Sequence, residues 1–162
     1  MEGRPFALVG VNSDDSVETA NEAVKKNELN WRSFQNERKD APAIADDWKI
    51  EGWPTIIVMN SKGIIKYRGH DGEMATEIAA ELVAKLEKGE KETLEEVEVI
   101  EEIVREEEVI EEEIVEEVVE SNTGTEKGQM APNITGVDLD GKSFSLADYD
   151  GQVIMLDFWG DW

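Results

Sequence analysis

The chain has 162 residues, no cysteine and a formal net charge of -23. Charge of this sign repels phosphate backbones and anionic bilayers, so nucleic-acid binding is not expected. Without cysteine there is no disulfide, thiolate nucleophile or thiolate-held metal.

The acidic excess is uneven. Residues 1–90 hold 17 acidic and 12 basic side chains, 91–127 hold 16 and 3, and 128–162 hold 6 and 1. More than half of the net charge thus falls in under a quarter of the chain, which marks a connector. The expected organisation is a folded block at 1–89, an acidic linker at 90–129 and a second block at 130–162. No apolar run approaches the roughly 18–20 residues that cross a bilayer. Met1-Glu2-Gly3-Arg4-Pro5 lacks the basic and apolar regions of a signal peptide.

Phe6 to Asn12 is a nearly continuous apolar run, which predicts an interior strand covered on both faces. Asp15 or Ser16 can cap a helix over about 17–28, with Val17, Ala20, Ala23 and Val24 as its buried stripe. Trp31 and Phe34 anchor a short extended stretch. Pro42 suits the first turn of a helix covering Ala43 to Trp48, which Gly52 follows.

Thr55 to Met59 reads as a strand, Asn60-Ser61-Lys62-Gly63 as a turn, and Ile64 to Arg68 as the returning arm. A helix is predicted over about 73–87. Ile78, Leu82 and Leu86 form one row, widened by Met74, Ala75, Ala79 and Val83. Residues 90–120 alternate glutamate blocks with valine and isoleucine pairs. Like charge and β-branching both weaken an isolated helix, so a mostly solvated low-complexity spacer, partly helical or extended, is expected, with a coiled coil or partner-binding helix as the alternative. Ser121 to Gln129 is flexible by composition. Val137 to Lys142 gives a strand with an Asp-Gly turn, Ser143 to Leu146 returns, and Val153 to Trp159 is a strong interior strand.

Two stretches resemble one family. Ala131-Pro132, Asp140-Gly141-Lys142, Leu146, Gly151 and Val153 to Trp159 with Trp162 are similar to the front of TlpA/ResA-like thiol-disulfide oxidoreductases, relatives of thioredoxin. Phe6 to Asn12, then Trp53-Pro54-Thr55 with the hairpin and helix behind it, resemble the rest of such a domain. The resemblance implies an α/β fold: a thioredoxin-like central mixed sheet with flanking helices, incomplete or circularly permuted, plus the acidic linker. It also implies that the chain runs from the middle of one tandem domain into the middle of the next, with Met1 an internal methionine. Val153 to Phe158 is then expected beside Phe6 to Val11 in one sheet. The alternative is insertion into a neighbouring molecule, giving a strand-swapped homo-oligomer. Either product, lacking one covering helix, is expected to be marginally stable or prone to aggregate.

For site residues the resemblance implies that Trp53, Pro54 and Thr55 form a cis-proline loop facing the substrate. Asp157, Trp159, Asp161 and Trp162 form the approach to a redox site whose Cys-x-x-Cys is absent. Asp157 in an apolar strand has the environment of a proton relay, with a solvated strand end as the competing reading. His70, the only histidine, stands beside Asp71 in a glycine-bounded loop with no nucleophile in register, and reads as a surface residue. The glutamate run lacks the alternating ligands and central glycine of a calcium loop, and no lysine-bearing phosphate cradle occurs. Neither metal nor cofactor is expected. The reading is a fragment of a thiol-disulfide oxidoreductase, itself inactive, whose parent acts on protein or small thiol and disulfide substrates. A non-catalytic thioredoxin-like binding or scaffold module is the alternative. The resemblance implies an exported, periplasmic or membrane-associated setting for the full product.

Overall fold

The computed structural model describes residues 3–39, 41–89 and 122–161. The spacer at 90–121 and Trp162 lie outside the described residues.

The elements in chain order are β1 (Phe6–Asn12), α1 (Val17–Lys26), β2 (Arg32–Gln35), α2 (Ile44–Asp47), β3 (Thr55–Met59), β4 (Ile65–Gly69) and α3 (Gly72–Glu87). After the spacer come β5 (Thr135–Val137), β6 (Ser143–Ser145), a 3-10 turn at Leu146–Tyr149 and β7 (Val153–Trp159). Five strands form one sheet in the order β2-β1-β7-β3-β4. β1 runs parallel to both β2 and β7, whereas β3 is antiparallel to β7 and β4. The architecture is a mixed α/β fold with a central sheet and flanking helices, consistent with thioredoxin-like topology.

β7 enters the sheet of its own chain. Leu8 faces Met155 and Val11 faces Phe158 on one side, while Thr55 faces Phe158 on the other. Strand periodicity divides these residues between two layers. Ala7, Val9, Val11, Ile57, Ile154, Leu156 and Phe158 join Phe34, Trp48 and the β5–β6 hairpin residue Phe144 in one core. Val58, Val153 and Met155 meet α3 through Ala75, Ala79, Leu82 and Val83 in the other. Burial on both faces explains why β1, β3 and β7 are apolar runs instead of alternating ones.

Several boundaries differ from expectation for local reasons. α1 ends at Lys26 and is capped by Ser16, whose Oγ accepts from the Thr19 amide; Val17 and Val24 are only half-buried. α2 begins at Ile44, with Pro42 outside it. Its first amides go to Asn36, through the main-chain oxygen for Ile44 and Oδ1 for Ala45. Met74 lies half-exposed, off the buried row of α3. β5 stops at Val137 because the buried Asp138 organises a turn. Its Oδ1 accepts from the Asp140 and Lys142 amides, and Gly141 takes φ +77°, a region glycine enters without strain. Of the stretch Ser121 to Gln129, expected to be flexible by composition, the described residues 122–129 instead line the β4 edge: Ile65 donates to the Gln129 carbonyl, and Gly128 donates to that of Ile65.

Candidate functional site

Trp53, Pro54, Thr55, Asp157, Trp159 and Asp161 lie where β1 and β7 end and β3 begins; Trp162 lies outside the described residues. The register places Asn12 against Trp159 and Thr55 against Phe158. The Ser13 amide donates to the Trp159 carbonyl at 2.9 Å, and the Asp161 amide to Asp14 Oδ1 at 2.8 Å. Asn12 Nδ2 donates to Asp14 Oδ2 at 2.7 Å, fixing the carboxylate that holds Asp161. Asp161 also pairs with Lys26 at 3.3 Å, a largely exposed contact of little energetic weight.

Beside this corner, Trp53-Pro54 is a cis peptide. Trp53 is 40% exposed, and its Nε1 donates to Ser13 Oγ at 3.2 Å. Pro54 is exposed, whereas Thr55 is buried and its hydroxyl donates to the Gly52 carbonyl at 2.6 Å. The loop therefore offers an apolar, solvent-facing ledge on a hydrogen-bonded base.

Asp157 stands on β7 in register with Gly10 on β1 and Ile56 on β3. Its Oδ1 is buried without a hydrogen-bond partner. Loss of water disfavours the charged form and pushes the carboxyl up to about 6. The residue as a whole is half-buried, with Oδ1 on its inner side. It can hold a proton near neutrality and release it with little driving force.

Three partners in the corner carried no clear mark in the sequence. Trp159 is buried, and its Nε1 reaches across β1 to donate to Ser33 Oγ at 3.2 Å. That crossing requires Gly10: a Cβ there would lie 2.6 Å from Trp159 Nε1 and closer still to Ser33 Oγ. A glycine inside an apolar strand is the cue that could have shown it. The third partner is His70, exposed as expected of a loop residue, yet with Nδ1 2.6 Å from the Pro54 carbonyl oxygen. Among the described residues no group of His, Asp and Glu has the geometry to hold a metal ion.

The sheet order and the proline-led entrance to β3 are consistent with a thioredoxin-like topology. A family model described as thioredoxin-like matches residues 2–65. Among curated proteins, the thiol-disulfide oxidoreductases ResA of Bacillus thuringiensis subsp. konkukian and of Bacillus cereus are each 46% identical over 37 residues. Those matches cover 23% of this chain and 21% of each relative, so the likeness spans about a fifth of their length. No solved structure matches significantly. The chain is of the thioredoxin-like superfamily, with weak homology to ResA-type proteins and without the cysteines of a redox site.

Proposed function

We propose that this chain is part of a TlpA/ResA-type thiol-disulfide oxidoreductase lineage and supplies its substrate cradle, not its sulfur chemistry. Trp53, Pro54 and Thr55 form the surface that an extended partner segment lies against. Trp159 and Asp161 shape the rim, and Asp157 is the interior acid that would exchange a proton with a thiol above it. Disulfide exchange needs a thiolate nucleophile, and the chain has no cysteine. By itself it carries out no turnover. For the whole protein the same reading implies protein or small-thiol substrates and an exported or membrane-associated setting.

The observation that supports this most is that Thr55 pairs with Phe158 near the end of β7, next in sequence to Asp157, whose buried Oδ1 has no hydrogen-bond partner. The test is insulin-disulfide reduction with dithiothreitol as donor. The rate should equal that of dithiothreitol alone, and protein-dependent turnover would refute the proposal.

A second reading, a cysteine-free binding module, draws support from β7 closing into its own chain's sheet to form the cradle without a redox motif. Sequencing the gene beyond the Trp162 codon separates the two. Cys-x-x-Cys following directly favours the oxidoreductase, and a stop codon favours the module.

A further inference from the structure

We infer that His70 is a positioning residue of the cradle, holding the Pro54 carbonyl so that the Trp53–Pro54–Thr55 ledge keeps one orientation toward its occupant. The inference rests on the cradle reading above for what the ledge does, and on geometry for how His70 acts.

The backbone around His70 is fixed from both sides. It lies between the last residue of β4 and the N-cap of α3. Tyr67 Oη donates to the Asp71 carbonyl and accepts from the Asp71 amide, both at 3.1 Å. The Asp71 carboxylate in turn accepts from the Glu73 and Met74 amides. From this corner the imidazole reaches the loop that leads into β3. The β3–β7 ladder begins at Thr55, so Pro54 stands just outside it. A carbonyl oxygen only accepts, so the 2.6 Å contact requires the proton on Nδ1. Thr55 Oγ1, 3.5 Å from the same nitrogen, gives its own proton to Gly52 and does not compete as a donor.

The ledge is thus held by two side chains from opposite directions. Ser13, following β1, takes the Trp53 indole, and His70, following β4, takes the Pro54 carbonyl. Losing the second hold leaves the fold in place, because the ring is exposed and outside both cores. What it releases is the direction of the loop.

The test uses His70→Ala, His70→Gln and His70→Asn. An Asn amide nitrogen stands where Nδ1 stood, whereas a Gln amide lies nearer the Nε2 position. The probe is carbamidomethylated insulin B chain, extended and unable to exchange disulfides. Binding is followed through the Trp53 indole NMR resonance, alongside urea midpoints. Wild type and His70→Asn should bind within twofold of each other. His70→Ala and His70→Gln should bind about fivefold more weakly, the loss of one hydrogen bond, with unchanged midpoints. Equal binding by His70→Ala, or failure of Asn to rescue, overturns the inference. If wild type does not bind the probe, the cradle reading fails, and His70 is judged on the free protein. Trp53 and Thr55 resonances that stay in place in His70→Asn but move in His70→Ala support positioning; equal movement in both overturns it.

Discussion

Asp157→Asn should stabilise the protein, and should do so more at pH 8 than at pH 5. The carboxyl has an ordinary value of 3.8 and is pushed to about 6 in the fold by desolvation. That gap, at roughly 1.4 kcal/mol for each pH unit, amounts to about 3 kcal/mol. The sign follows from proton counts. Between these values the folded state keeps its proton while the unfolded state has lost it, so stability falls as pH rises. The full benefit of the neutral acid exists only below pH 3.8 and is gone above 6. Half of the roughly 3 kcal/mol penalty is already present at pH 5, and the other half, about 1.4 kcal/mol, develops by pH 8. Asparagine does not titrate, though its amide also lacks a partner for one buried atom, so its advantage at pH 8 should be about 1–3 kcal/mol. Urea unfolding read by the buried Trp48 at both pH values measures the difference. Comparing variant with wild type at each pH cancels the titration of the other carboxylates. An advantage of Asn that is the same at pH 5 and pH 8 would show that Asp157 ionises normally, and would refute burial as the cause.

Gly10→Ala should lose about 2 kcal/mol, because Trp159 must leave Ser33 to admit the methyl; Ser33→Ala, which removes only the acceptor, should lose about half as much. Denaturant titration of the pair checks the ratio. Asp138→Ala should cost about 2–3 kcal/mol, since it removes the partner of Arg32 at 2.7 Å and the acceptor of two turn amides. Burial pushes the Asp138 carboxyl up, but the Lys142 amide and Arg32 together hold it below its ordinary value. Its contribution is therefore present above pH 3.8 and fades in stronger acid, opposite in sign to that of Asp157. Asp71→Ala should cost about 1 kcal/mol by uncapping α3, read as a shifted midpoint with an unchanged slope.

What was legible in the sequence was what burial writes into residue type. β1, β3 and β7 are apolar on both faces, and α3 shows its core row at helical spacing. What was not legible depends on partners far away in the chain. Asp138 looks like any turn aspartate until Arg32, on a different strand, closes on it. Residues 122–130 line β4 through main-chain bonds, which leave no imprint on side-chain composition. At the candidate site, Trp53, Pro54, Thr55, Trp159 and Asp161 were singled out through resemblance to a family, and the structure places them in one corner. The Trp159–Ser33 and His70–Pro54 contacts are set by register and by the β4–α3 corner. Neither is visible in local spacing.

β7 lies in the middle of the sheet yet follows every other strand in chain order. When this chain refolds from denaturant, β1 and β3 therefore keep open edges until the distant β7 docks between them. Open edges recruit neighbouring chains, so the refolding yield should fall as protein concentration rises, while the finished sheet has this central gap closed.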